Sequence, residues 1–216
     1  ALSEGSTLIF TLGGTASGTD NTTDIVAKGA QSGTALGEAE VSTSSLAANE
    51  MWLYSTKPTV SLNSSSPSSG VGGTAKEVFR FDVANTDNTG NLDMNINAIR
   101  FTISSVATGT WGTSWNLYKS SDLTTSIGAA TSYADASTSD TTGWVTIYPH
   151  SGNQIGDGNT TTYVLYGDTS GMNITTGNDN LVVSIEANDF YWDDGYVDNA
   201  NTKVLNLPVT GNALTY

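Results

Sequence analysis

The first side chains with the types and spacing for chemistry are acidic residues near the C-terminal end of the sequence. Four aspartates surround the aromatic run Phe190-Tyr191-Trp192, namely Asp189, Asp193, Asp194 and Asp198. Calcium takes about six to eight oxygen ligands, which carboxylates, Asn amides and loop carbonyls supply. No stretch fits an EF-hand loop, and Asp is also favoured in turns for backbone reasons alone. The alternatives are therefore solvated turn residues or a calcium site in this loop. The sequence establishes no cofactor, and calcium is the candidate.

The same carboxylates have the types that glycoside hydrolysis needs, one acting as an acid and the other as a base or nucleophile. Aromatic rings would then stack on the sugar. The following aromatic residues fall inside β-rich runs, where we expect core positions: Trp115, Trp144, Tyr163 and Tyr166. Trp111 and the pair Tyr191-Trp192 are predicted to lie in loops. Trp111 and Trp192 are therefore the candidate sugar contacts, and carbohydrate binding is favoured over catalysis.

Other catalytic constellations are missing from the sequence. The chain has no cysteine and one histidine, His150, so no zinc set can be completed from these residue types. The nucleophile motif Gly-x-Ser-x-Gly is absent, as is a Gly-rich phosphate loop that ends in Lys-Ser or Lys-Thr. We therefore predict that the protein is not an enzyme and that His150 is a surface residue.

Four Asn-x-Ser/Thr motifs are candidate N-glycan acceptors, at Asn21, Asn63, Asn159 and Asn173. They fall in predicted turns, where modification is sterically compatible with the fold. In a chain this rich in Asn, Ser and Thr, several such motifs also arise by chance. Glycosylation is therefore compatible with the sequence without being indicated by it.

Strand signals recur along the chain, whereas helix signals do not. The β-rich runs, separated by Gly, Asn and Asp turn formers, are 6–12, 51–55, 59–62, 77–83, 98–106, 114–119, 144–148, 161–166 and 181–187. In Glu77 to Val83 the apolar residues Phe79, Phe81 and Val83 alternate with Arg80 and Asp82. Strands at this spacing predict an all-β fold, an Ig-like or jelly-roll β-sandwich.

Composition restricts the classes of partner. The formal charge of −14 disfavours nucleic acids and anionic membrane surfaces. No apolar stretch reaches the roughly 20 residues that a membrane helix needs, so we expect no membrane insertion. Without cysteine, stability has to come from packing, bound ions or association. The surface chemistry is that of an extracellular or cell-surface protein.

An apolar strand stands far ahead of the aromatic-rich part of the chain. In residues 6–12, Leu8, Phe10 and Leu12 share one face, and Ile9 lies on the other. Residues 13–48 contain no aromatic side chain, so we predict an extension, 1–57, followed by a β-sandwich domain, 58–216. The strand formed by Thr7, Leu8, Ile9, Phe10, Thr11 and Leu12 has to pair with a sheet edge. It either folds back on its own chain or inserts into another copy and so builds a homopolymer.

Several runs in residues 57–216 resemble modules of known surface proteins. Lys57-Pro-Thr-Val-Ser-Leu-Asn, Glu77-Val-Phe-Arg-Phe-Asp-Val, Ala98-Ile-Arg-Phe-Thr-Ile and Asn188-Asp-Phe-Tyr-Trp-Asp-Asp-Gly look like the β-sandwich modules of bacterial cell-surface proteins, found as repeats in candidate-phyla bacteria. This resemblance implies a structural module without enzymatic activity. The long extension with one apolar strand is also similar in architecture to pilus-like donor-strand filament subunits. The leading hypothesis is a self-assembling filament or surface-array subunit, and the alternative is a secreted carbohydrate-binding or adhesive module.

Overall fold

The computed structural model describes residues 7–8, 11–12, 46–47, 51–52, 56–86, 92–106, 111–134, 142–172, 179–195 and 204–216. Side chains are described only from residue 56 onward, apart from those of residues 132–134. The strands, in chain order, are β1 (Thr7–Leu8), β2 (Thr11–Leu12), β3 (Leu46–Ala47), β4 (Met51–Trp52), β5 (Pro58–Leu62), β6 (Lys76–Asn85), β7 (Met94–Val106), β8 (Trp115–Lys119), β9 (Gly128–Ala134), β10 (Thr142–Ile147), β11 (Gln154–Ile155), β12 (Thr160–Gly167), β13 (Asn180–Ile185), β14 (Phe190–Asp193), β15 (Val209–Thr210) and β16 (Leu214–Thr215). Throughout these ranges there is no helix, and the fold class is all-β as the sequence predicts.

The chain divides into two compact units, residues 1–54 and 55–216. Within the first unit, β1 pairs antiparallel with β4, and β2 pairs antiparallel with β3. The described residues contribute two residue pairs to each of these ladders. The described residues of the predicted assembly strand, Thr7–Leu8 and Thr11–Leu12, therefore pair with later strands of their own chain.

The second unit is a β-sandwich of antiparallel strands. One sheet has the order β5-β6-β12-β8, and β8 continues into the second sheet through its pairing with β9. The second sheet runs β9-β10-β7-β13 and is extended by β15. The long strand β7 is its centre, because β10 and β11 pair along one side of it while β13 and β14 pair along the other.

Phenylalanine rings hold the two sheets together. Phe79 and Phe81 of β6 and Phe101 of β7 are all 0% exposed. The ring of Phe101 meets that of Phe79 at 6.3 Å and that of Phe81 at 5.8 Å between centroids, both edge to face. Arg80 lies between the two β6 phenylalanines in sequence and points outward, half-buried, so the predicted alternation of this strand is confirmed.

The second sheet contains strands that the sequence patterns did not predict. β14 falls in the segment that was predicted as an acidic loop, and β9 and the two C-terminal strands were missed as well. The short run of β14 contains too few residues for alternation to be recognised. Its pairing partner lies almost a hundred residues earlier in β7, which local patterns cannot reveal.

Candidate functional site

A groove lies on the outer face of the second sheet, where β14, β7 and β10 run side by side. Its volume is about 660 Å³, which falls within the range of about 300–1,000 Å³ that is typical of small-ligand sites. The lining residues are Asn97, Ala98, Arg100, Trp144, Thr146, Tyr148 and Tyr191. Three of the seven are aromatic, so the groove offers ring faces beside a few polar groups.

A β-bulge in β7 creates the floor of the groove. Tyr191 pairs with Ala98, but the next residue of β14, Trp192, pairs with Ile96, so Asn97 is the extra residue in β7. A bulge of this kind lets two consecutive side chains face the same side of a sheet. Asn97 and Ala98 both line the groove as a result. Inward positions change at this point from Met94 and Ile96 to Ile99, Phe101 and Ile103, all of which are 0% exposed.

Two tyrosines form the walls above Ala98. Tyr191 pairs with Ala98 from the β14 side. On the other side, Ile147 pairs with Ile99, so Tyr148, the next residue along, comes level with Ala98. Tyr148 is 55% exposed, and Ala98 between the two rings is only 6% exposed. The small side chain of Ala98 is what leaves the space between the walls open.

Arg100 is held in a defined position at one end of the groove. Its guanidinium lies 5.2 Å from the centre of the Trp144 ring, and its Nε lies 3.7 Å from Oδ2 of Asp189. The backbone N–H of Arg100 also donates to the carbonyl oxygen of Asp189 at 2.8 Å. Burial raises the pKa of the Asp189 carboxyl, Arg100 acts to lower it, and Glu186 acts to raise it. The side chain of Arg100 remains 46% exposed, so its remaining N–H groups face the groove and solvent.

The turn between β13 and β14 places Asp189 next to Arg100. The N–H of Asp189 donates to the carbonyl oxygen of Glu186 at 3.2 Å. Asn188, the third residue of this turn, has a φ of 71°, a left-handed conformation that Asn tolerates better than most side chains. The turn returns the chain to the edge of β7 that β13 has just left, and Asp189 comes opposite Arg100.

The side chains that line the groove offer stacking and hydrogen-bonding surfaces. Its seven lining residues include no carboxylate, thiol or imidazole, so they contain no acid–base pair of the kind that glycoside hydrolysis uses. Aromatic faces offer stacking surfaces, while Arg100, Asn97 and Thr146 supply hydrogen-bonding groups. This combination suits a ligand with apolar faces and polar edges.

The predicted sugar contacts are not on the surface. Trp111 is 3% exposed and Trp192 is 0% exposed, so neither ring presents a face to a ligand. Trp192 belongs to β14, where alternation turns it into the core and turns Tyr191 outward. Trp111 packs edge to face against Trp115 at 5.6 Å between ring centres. The prediction that Trp111 and Trp192 contact sugar is therefore wrong.

Trp144 and Tyr166 lie on the outer faces of the sheets, although the sequence predicted them to be in the core. Both were predicted in the core, together with Trp115 and Tyr163, which are 1% and 0% exposed. Trp144 and Tyr166 are half-buried on outer faces instead. In β10 the inward positions are Val145 and Ile147. The order Trp144-Val-Thr-Ile-Tyr148 contains this signal, because the aliphatic residues Val145 and Ile147 occupy every second position and leave the aromatic residues on the other face.

Among the predicted calcium ligands, Asp189 and Asp193 do not converge on one point. Asp189 precedes β14 and Asp193 ends it, and a strand rises about 3.3 Å per residue, so about 13 Å separates their backbones. Asp189 lies beside Arg100, whereas Asp193 accepts a hydrogen bond from the amide of Asn95 at 3.4 Å. Asp194 is 6% exposed, and Asp198 lies outside the described residues. In the described part of the chain, no three acidic, His or Cys side chains come together to hold a metal.

The remaining predicted residues have different surroundings. His150 is exposed, as expected. The amide of Asn63 donates to both carboxylate oxygens of Asp82 at 2.9 Å, and a glycan on that nitrogen would disrupt these bonds. Asn159 is exposed in the turn before β12, which is compatible with modification. Asn21 and Asn173 lie outside the described residues.

No protein-family model and no curated protein matches the sequence. Among solved structures, the chain is similar to a chain in the crystal structure of a complex between a CaDoc0917 variant and CaCohA2 at pH 5.5. The similarity has a TM-score of 0.35 and 12% sequence identity, and it covers 74% of this chain and 99% of that chain. A likeness at this level carries no argument about function. Within the described ranges there is also no helix long and apolar enough to cross a membrane.

Proposed function

We propose that this protein is a non-catalytic, extracellular β-sandwich module that binds carbohydrate in the groove on its second sheet. The observation that carries the proposal is the pair of tyrosines that flank Ala98, with Arg100 ordered on Trp144 at 5.2 Å. Sugars combine apolar ring faces with hydroxyl edges, which such a groove matches. The polar, acidic and cysteine-free composition supports a location outside the cell.

Removing one wall of the groove tests this proposal. We expect the variant Tyr191→Ala to lose about 2 kcal/mol of binding free energy, the cost of a central aromatic contact. This loss corresponds to a roughly 30-fold weaker affinity. Native gel electrophoresis through soluble polysaccharides measures it, because a chain with a net charge of −14 migrates rapidly unless the polymer retards it.

Tyr118→Ala provides the matched control. Tyr118 is a half-buried tyrosine on β8 that packs against Tyr166 at 5.2 Å between ring centres and does not line the groove. It should keep the retardation of the unchanged protein. Equal losses in Tyr191→Ala and Tyr118→Ala, or no retardation of the unchanged protein by any polysaccharide, would rule the proposal out.

Self-assembly by strand donation is a second proposed function, and one observation supports it. The described residues of β1 and β2 pair antiparallel with β4 and β3, so they already have the extended conformation that pairing with another copy requires. An exchanged strand adds to a sheet edge by the same main-chain pattern. In this second proposal the sandwich forms the body of a filament or surface array, and residues 7–12 link the copies.

A further inference from the structure

We infer that the groove binds a single neutral pyranose unit of a saccharide, held edge-down on Ala98 with its two faces against Tyr148 and Tyr191. This inference rests on the proposed carbohydrate-binding function and deepens it by naming the class of ligand. Two features lead to it, the spacing of the tyrosine walls and the charge balance at Arg100.

The spacing of the walls determines the thickness of the ligand. Tyr191 stands on β14 opposite Ala98, and Tyr148 directly follows Ile147, the last residue of β10, which pairs with Ile99. Adjacent strands lie about 4.8 Å apart, so the backbones of the two tyrosines are separated by roughly 10 Å. Carbon atoms in contact lie about 3.5–4.0 Å apart. A flat ring in contact with both tyrosines accounts for two such distances, which fill only about 7 Å of this space. A chair-shaped pyranose has hydrogens or hydroxyls on both faces, is thicker, and fits the gap.

The charges around the groove favour a neutral sugar. The Arg100 guanidinium has its charge offset by the Asp189 carboxylate at 3.7 Å, and Glu186 lies close enough to influence the same carboxyl. The whole chain carries a net charge of −14, which repels uronate or sulfate groups. Arg100 therefore serves as a donor to hydroxyl oxygens at the rim.

Two single variants and the double variant test the tyrosine clamp, the proposed arrangement in which Tyr148 and Tyr191 hold the sugar between them. Tyr148→Ala and Tyr191→Ala should each weaken binding at least about tenfold, the loss expected for a central contact residue. If the sugar ring is held between both tyrosines, removing either tyrosine also removes most of the binding free energy that the other contributes. The double variant should then be less than about threefold weaker than the worse single variant, because contacts that act together are not additive. Titration calorimetry with oligosaccharides of the retained polymer gives the affinities, and thermal unfolding confirms that each variant is folded.

Neutral and acidic polymers together distinguish which proposal a negative result overturns: the clamp, the neutral ligand class or carbohydrate binding itself. Retention is measured on immobilised β-glucan, xylan and galactomannan as neutral probes, and on polygalacturonate and alginate as acidic probes. Retention on a neutral polymer with non-additive losses supports the clamp. Additive losses overturn the clamp but leave the proposed function standing, and retention on acidic polymers alone overturns the neutral class. No retention on any polymer overturns the proposed function and this inference together.

Discussion

Replacing Arg100 with Met separates the two interactions that position this side chain. Met keeps a long, flexible stem but removes the positive charge. The contact with the Trp144 ring at 5.2 Å is worth about 0.5–1 kcal/mol at an exposed site. The ion pair with Asp189 at 3.7 Å, with the arginine side chain 46% exposed, contributes about 0.2–1 kcal/mol. We expect Arg100→Met to lower the free energy of unfolding by about 0.7–2 kcal/mol at pH 7.

The effect of this substitution depends on pH through Asp189. Burial raises the pKa of Asp189 above its ordinary value of 3.8, so this group supports folding fully below pH 3.8 and less as the pH rises through its folded pKa. Arg100 opposes that loss by stabilising the carboxylate, and the variant cannot. The deficit of Arg100→Met should therefore be small at pH 3, where only the ring contact is lost, and should grow as the pH rises through the raised folded pKa of Asp189.

Urea unfolding followed by far-ultraviolet circular dichroism at pH 3 and pH 7 measures this difference. The control is Asp189→Asn, in which the effect of Arg100→Met should no longer change with pH. If the deficit is the same at both pH values, or larger at pH 3, the ion pair does not exist in solution. The assignment of Arg100 as an ordered donor in the groove would then be refuted.

Three further predictions concern the core, the extension and metal binding. Phe101→Ala should lower the free energy of unfolding by about 3–5 kcal/mol, because Phe101 is the ring that packs on both β6 phenylalanines, and denaturant unfolding measures this loss. If residues 7–12 link copies, deletion of residues 1–13 should convert polymers seen by electron microscopy into soluble monomers with unchanged circular dichroism, whereas persisting polymers would exclude strand donation. Because Asp189 and Asp193 do not converge on one ion, Asp193→Asn should leave any effect of a calcium chelator on the melting temperature unchanged, and a chelator effect that is lost in this variant would contradict their described positions.

Local sequence patterns predicted the strands of the sandwich but not all of its faces. From Phe79 to Val83 the run alternates, so its inward phenylalanines can be assigned from the sequence alone. β7 cannot be assigned in the same way, because the bulge at Asn97 shifts the inward positions from even to odd residues. Odd and even residues keep to fixed faces only along an unbroken strand, and the extra residue of a bulge exchanges the two faces.

The aromatic residues show where prediction from single segments fails. Trp192 and Tyr191 are adjacent and equally able to stack on a sugar, yet one is buried and the other lines the groove. Their difference comes from β14 being a strand, which is evident only from its pairing with β7. Trp144 was predicted as core because aromatic residues in strands are usually buried, but two aliphatic neighbours already occupy the inward positions of β10.

By itself, the sequence determined the all-β class, most strand positions and the scarcity of catalytic side chains, because these depend on composition and on short-range alternation. Only the tertiary structure brought Tyr191, Ala98 and Tyr148 into one row, since their alignment depends on the register of three strands that are far apart in the chain. Register is set by how two whole faces pack and by the position of one bulge. For that reason the candidate site is a property of the assembled sheet, and no single segment contains it.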